Sequence, residues 1–226
     1  MQLWQLDIVG GLMLVDGAEC KVVTGVDDHS RYCVIAAVVP RATGRAVCLA
    51  FAEALQRFGV PDEVLTDNGK QFTDRFGADG EVLFDRICRD NGIVHRLTQP
   101  ASPTTTGKVE RFHQTLRREL LNDHGPFDDL PAAQAGIDRW VAEYNTLRPH
   151  QSLDMDTPAS RFATDRSSER LLPLRLPAAL RTVPATPAAE QPAPVVEPAA
   201  EPASNPAALY SGGPVEFERV VPASGN

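Results

Sequence analysis

The sequence predicts an α/β layer fold, with a mixed central β-sheet flanked by helices. Three β-rich runs follow one another near the N-terminus, and helical and strand-like segments alternate after them. With 42% of its 226 residues apolar, the chain can also build one shared core.

Residues 3–9 form a short apolar run around Asp7. Glu19 to Val26 and Tyr32 to Val39 are rich in Val, Ile, Cys and Tyr and are broken by DDHSR, the pattern of two hairpin-linked strands. From Thr43 to Phe58, Ala46, Val47, Ala50, Ala54, Leu55 and Phe58 recur at helical spacing, and Gly59 and Pro61 close that helix. Glu63 to Leu65 reads as a short strand ending in the turn Thr66-Asp67-Asn68-Gly69.

Val82, Leu83, Phe84, Ile87 and Cys88 outline a helix that stops before Asn91-Gly92, and Val94 to Leu97 is another short strand. A loop rich in Pro, Ser and Thr leads to Gly107 and a helix from about Lys108 to Leu121. Leu130 to Tyr144 is a further helix. Thr157 and Pro158 are placed as N-cap and first helical residue of a small one ending at Phe162.

The expected domain is residues 1–165, followed by a connecting segment 166–181. Beyond Arg181 the composition turns to Pro and Ala with few large apolar residues, so 182–208 is expected to be disordered. The tail 209–226 carries a weak strand signal in Val215–Val221.

A formal net charge of −8 argues against tight nonspecific DNA binding by the chain as a whole, because such binding is driven by neutralising phosphates. A local basic face can coexist with an acidic average. Cys20, Cys33, Cys48 and Cys88 have no CxxC spacing, and buried free thiols are expected. The start MQLWQLDIVGG has no basic leader, and no uninterrupted apolar span reaches the roughly 18 residues of a membrane helix. A cytoplasmic protein without membrane contact is expected.

Ser102 to Leu120, SPTTTGKVERFHQTLRREL, sets Glu110 in a run otherwise dominated by Lys, Arg, His and Gln. Val109, Phe112, Leu116 and Leu120 form an apolar stripe on this helix. Glu110, His113 and Gln114 fall on one side, with Arg117 and Arg118 a turn further. Upstream, Asp7 and Asp67 stand within and just after strand-like runs. Each acid also has a plain structural reading: a solvent-facing strand position for Asp7, an Asx turn for Asp67 and a helix-dipole contact for Glu110. Brought together, the three carboxylates would suit hard divalent cations, two of which, about 3.5–4 Å apart, can drive in-line displacement at phosphorus. Lys108, Arg111, Arg117 and Arg118 beside them point to a polyanionic substrate.

The segments WQLDIVG, VDDHSRY at 26–32, LTDNGKQF at 65–72, the run from Asn91 to Leu120, and YNTLRPHQSLDMDTPASRF at 144–162 resemble the integrase catalytic domain of the DDE transposases. The likeness is to the insertion-sequence transposases grouped as IS3/IS481-like and covers roughly residues 1–165. It implies an RNase H-like fold and DNA integration or transposition by strand cleavage and strand transfer. Carried over residue by residue, it implies that Asp7, Asp67 and Glu110 are catalytic and hold two Mg²⁺ or Mn²⁺ ions. Lys108, Arg111, His113, Gln114, Arg117 and Arg118 are the expected DNA contacts, and Asp28 and Ser30 resemble a structural signature at the strand turn. DNA and a second copy of the chain are the expected partners.

The chain departs from the resemblance in three places. The interval from Asp67 to Glu110 is longer than is common in the family, with RFGADGEVLFD at 75–85 as the place where extra residues enter. No helix-turn-helix segment precedes the first catalytic strand, so a separate protein or reading-frame product is expected to recognise DNA ends. The tail is acidic rather than basic. These departures keep a silent or truncated transposase remnant open as an alternative, beside an RNase H-like nuclease and a non-enzymatic binding module.

Overall fold

The computed structural model describes residues 2–73, 82–98, 107–163 and 174–180. The expected disorder at 182–208, the strand signal at Val215–Val221 and most of the insertion at 75–85 lie outside these residues.

Three strands come first: β1 (Leu3–Met13), β2 (Glu19–Asp27) and β3 (Cys33–Val39), followed by helix α1 (Gly44–Phe58). Then come β4 (Glu63–Thr66), a single helical turn α2 (Lys70–Thr73), α3 (Leu83–Asp90) and β5 (Val94–Leu97). The chain continues with α4 (Gly107–Leu116), a π-helical turn at Arg117–Leu121, α5 (Leu130–Thr146) and the short α6 (Pro158–Arg161). The sheet order is β3-β2-β1-β4-β5. β1 and β2, and β2 and β3, pair antiparallel, whereas β1 and β4, and β4 and β5, pair parallel. The expected mixed sheet is present.

The pleat sorts β1 between two cores. Trp4 and Leu6 belong to a cluster with Val47, Phe51 and Leu55 of α1 and Phe84 and Ile87 of α3. Val9 and Leu12 belong to a second cluster with Val109, Phe112 and Leu116 of α4 and Ala133, Ile137 and Trp140 of α5. The sheet is therefore covered on both faces, as its parallel pairs require. A bulge at Gly10–Gly11, where Gly11 has φ of 91°, lets Val9 and Leu12 share the second cluster despite their odd spacing.

Capping follows the sequence where side chains could announce it. Thr43 accepts from the Ala46 amide, Asp129 from Ala132, and Thr157 from Ser160, each closing an otherwise orphaned first-turn donor. β1 runs four residues past the expected end because the bulge keeps it paired with β2. The expected single helix to Leu121 changes at Arg117, where the Asn122 amide reaches back to the Arg117 carbonyl. Glu119 in that turn accepts from the Trp140 indole and pairs with Arg148, tying it to α5. All four cysteines are buried and free, as expected. Among the described residues no helix is long and apolar enough to cross a membrane.

Candidate active site

Strand register brings the two aspartates to the same end of the sheet, beyond the paired part of β1 and β4. β1 and β4 pair Leu3 with Glu63, Trp4 with Val64 and Gln5 with Leu65. Asp67 stands one residue past the end of β4, and Asp7, two residues beyond Gln5, keeps one pleat phase within β1. That phase is the phase of Gln5 and Val9, facing α4. Helix α4 runs over this face alongside β1, with the Val109 amide at Gln5 and His113 at Asp7. Glu110, exposed in the first turn of α4, lies between those two contacts along the helix.

Electrostatics show that the three acids share a neighbourhood. Asp7 is raised from 3.8 to about 6, chiefly by burial, with the charges of Asp67 and Glu110 adding to the rise and a hydrogen bond from the Ile8 amide opposing it. The Ile8 bond to Asp7 Oδ1 measures 2.7 Å, and the Asp7 side chain is 31% exposed. The acids are near enough to act on one another's ionisation. Among the described residues, however, no three His, Cys, Asp or Glu side chains are gathered into a group able to hold a metal ion. The donor set itself fits Mg²⁺ or Mn²⁺: hard carboxylate oxygens whose mutual repulsion a divalent cation would relieve.

Asp67 also shapes its own turn. Its Oδ1 accepts from the Gly69 amide at 2.8 Å, and Asn68 Nδ2 donates to the Thr98 carbonyl at 2.9 Å. A Cβ at Gly69 would lie 2.6 Å from Gln71 Nε2 and 2.8 Å from Asp67 Oδ1, so the glycine leaves room for both side chains.

The start of α4 is bracketed by polar contacts. Gln5, 3% exposed, donates from Nε2 to Asp28 Oδ1 at 2.7 Å, and its Oε1 accepts from the Val109 amide at 3.3 Å. Lys108 Nζ binds the other Asp28 oxygen at 2.5 Å. Asp27, buried beside it, accepts from the Ser30 amide and hydroxyl and holds the strand turn. Asp28 thus has a structural task, joining the turn after β2 to the helix that carries Glu110.

The candidate DNA contacts do not form one row. Arg111, Gln114, Arg117 and Arg118 are exposed, whereas Lys108 is engaged with Asp28. His113, expected on the outward side with Glu110 and Gln114, instead turns toward the sheet: its side chain is 12% exposed and its Nε2 lies 2.7 Å from Thr24 Oγ1. The reason is its position one residue after Phe112, where the helix edge meets β2. Burial, aided by Arg117, lowers His113 from 6.5 to about 4, so the ring is neutral at physiological pH. Its Nδ1 stands 3.6 Å from Asp7 Oδ2.

Reading the sequence alone did not single out Gln5, Thr24, Thr66, Asp85 or His95 as neighbours of the site. Gln5 and Thr24 carry a faint signal, as polar residues inside otherwise apolar strands. An open cleft of about 800 Å³, lined in part by Leu3, Asp28, Lys108 and Arg161, lies toward the N-terminal ends of β1 and β4. Asp7, Asp67 and Glu110 do not line it.

Two family models, each described as an integrase core domain, match residues 1–103 and 91–158. A 31.7 kDa protein of insertion element IS407 from Burkholderia multivorans is 32% identical over 167 residues, 74% of this chain and 57% of the relative. A 39.2 kDa protein of insertion element IS476 from Xanthomonas euvesicatoria is 34% identical over 166 residues, 74% of this chain and 45% of the relative. The chain therefore spans about half the length of these relatives. Among solved structures, the HTLV-2 integrase catalytic core domain in complex with magnesium superposes with a TM-score of 0.53 at 20% identity, covering 72% of this chain and 96% of that one. The BIV integrase catalytic core domain gives 0.54 at 23%, covering 70% and 91%. These neighbours establish the RNase H-like fold. The two domain matches, which together span residues 1–158, and the insertion-element relatives lead to one conclusion: the chain belongs to the integrase core domain family.

Proposed function

We propose that this chain is a catalytic core for DNA cutting and joining, with Asp7, Asp67 and Glu110 as the ligands of Mg²⁺ or Mn²⁺. The observation that supports it is the ionisation of Asp7, which responds to both Asp67 and Glu110 on the α4 side of the sheet. Two divalent cations held there would activate the attacking oxygen and stabilise the leaving oxygen in an in-line displacement at a phosphodiester.

The protein's own part is positioning and local charge. β1 supplies Asp7, the turn after β4 supplies Asp67, and α4 supplies Glu110 from its first turn. Gln5 fixes the start of that helix by holding the Val109 amide. Arg111, Arg117 and Arg118 present cations to phosphates flanking the scissile bond, a contact that positions DNA without reading its sequence. Lys108 reaches phosphate only by leaving or sharing Asp28. DNA is the substrate in this reading, and a second copy of the chain the working partner. Water attacks in the cutting step, and a DNA 3′-hydroxyl attacks target DNA in the joining step.

Glu110→Gln tests the reading. The substitution removes a proposed ligand and one negative charge beside DNA while keeping the side-chain shape. Mg²⁺-dependent cleavage of duplex DNA is expected to be lost, with DNA binding equal or slightly tighter. Cleavage at the parental rate would remove Glu110 from the catalytic set.

A further inference from the structure

We propose that two buried threonine–histidine pairs, Thr24–His113 and Thr66–His95, are positioning devices that fix the backbone of Asp7 and Asp67. The inference rests on the reading of those aspartates as metal ligands. Thr24 Oγ1 lies 3.0 Å from the Asp7 carbonyl oxygen and 2.7 Å from His113 Nε2. Thr66 Oγ1 lies 3.0 Å from the Asp67 carbonyl oxygen and 2.8 Å from His95 Nε2. These are the threonine–histidine contacts among the described residues, and both end on a candidate catalytic aspartate. Thr73, Thr115 and Thr146 instead bond carbonyls a turn back in their own stretch of chain.

Proton counting gives the pairs a defined polarity. A threonine hydroxyl has one proton to donate, and each of these two faces two oxygen or nitrogen neighbours. Thr24 and Thr66 are 0% and 1% exposed, so a missed hydrogen bond would find no water. Only one assignment makes both contacts hydrogen bonds: the hydroxyl donates to the aspartate carbonyl, and the imidazole Nε2–H donates to the hydroxyl. Both histidines therefore carry a proton on Nε2. His95 Nδ1 also lies 2.5 Å from a carboxylate oxygen, Asp85 Oδ1, so the same count has this ring donate from both nitrogens, to Thr66 and to Asp85.

The two pairs reach the aspartates from opposite faces of the sheet. Thr24 is the register partner of Asp7 on β2, and His113 comes from α4 on the face of the carboxylates. Thr66 shares the pleat phase of Val64, toward α1 and α3, and His95 is the register partner of Val64 on β5. Asp85 is in the first turn of α3. The backbone carbonyl of each aspartate is thus anchored to a different layer of the protein. This fixes where its carboxylate can point before any cation or substrate is present, as the outer partners of metal ligands do.

The test uses the full chain carrying Thr24→Val or Thr66→Val, which keep shape and lose the hydroxyl, and Thr24→Ser or Thr66→Ser, which keep it. Ring ¹⁵N spectra of the parent at pH 7.5 are expected to show Nε2 protonated in both His113 and His95. In a Mn²⁺ titration read by electron paramagnetic resonance, each Val variant should need about tenfold more metal for half-saturation, and each Ser variant should return to within about twofold of the parent. Comparable melting temperatures for the Val and Ser variants would set this effect apart from stability. A bare nitrogen at Nε2 in either parental ring overturns the proposal, as does Mn²⁺ binding by the Val variants at parental strength. Failure of the metal-site reading is seen separately, as Asp7→Asn and Asp67→Asn leaving parental Mn²⁺ binding unchanged.

Discussion

Replacing Asp7 by Asn should stabilise the folded protein at neutral pH while removing a proposed metal ligand. Burial and the charges of Asp67 and Glu110 raise Asp7 from 3.8 to about 6. Between those two pH values the folded state holds the Asp7 proton more often than the unfolded chain does. The group's contribution is therefore fully favourable below about pH 4 and lost as pH rises through 6. The whole displacement corresponds to roughly 3 kcal/mol, and solvent screening of a side chain 31% exposed reduces the expected value to about 1–2 kcal/mol. An amide oxygen can still accept from the Ile8 amide, so the substitution removes the charge and keeps that bond. For a domain of this size the gain is about 3–6 °C in melting temperature.

His113 titrates in the opposite sense. Its lowered value makes protonation costly in the fold, so its contribution is present above about pH 6.5 and is lost as pH falls toward 4. His113 Nδ1 stands 3.6 Å from Asp7 Oδ2, so the difference between the Asp7→Asn and parental curves reports Asp7 together with its coupling to His113. The assay is thermal unfolding of both proteins from pH 4 to 8 in metal-free buffer. The variant's advantage should grow between pH 4 and 6 and then level off. An advantage of the same size at pH 4 and pH 7.5, or none at pH 7.5, would refute the electrostatic reasoning.

Other substitutions probe other links. Gly69→Ala places a Cβ 2.8 Å from Asp67 Oδ1, so it should cut Mg²⁺-dependent DNA cleavage at least tenfold while moving the melting temperature by only a few degrees. Loss of cleavage matched by unfolding would contradict this. Gly136→Ala meets Phe127 Cε1 at 2.7 Å inside the α5 core and should cost about 1–3 kcal/mol in urea unfolding without changing the pH response of Asp7. Three phosphate contacts, from Arg111, Arg117 and Arg118, should give log affinity for duplex DNA a slope of about −3 against log salt. A flat salt titration would mean that these side chains are only solvated.

The layer order was legible because each face of the sheet leaves a periodic trace: Trp4 and Leu6 for one cluster, Phe112 and Leu116 for the other. The cap at Thr157 was legible for the same local reason, whereas Thr43 read as the first residue of its helix and is instead its cap. The full length of β1 was not, since it depends on a bulge that only pairing with β2 defines. The π-helical turn after Leu116 was hidden as well, because Arg117–Leu121 has good helix formers and the change in winding accompanies Glu119's contacts with α5. At the candidate site, the order of Asp7, Asp67 and Glu110 could be read along the chain. The inward turn of His113 and the partnership of His95 with Thr66 could not, because both join segments that are distant in sequence.

The central claim is that Asp7, Asp67 and Glu110 share divalent cations, and paramagnetic broadening by Mn²⁺ tests it most directly. In a Mn²⁺ titration followed by amide NMR, the signals of Asp7, Ile8, Asp67, Asn68 and Glu110 should broaden first and together, and Mg²⁺ should reverse the effect. Broadening that begins elsewhere, or that leaves any one of the three acids sharp while the other two vanish, would contradict it.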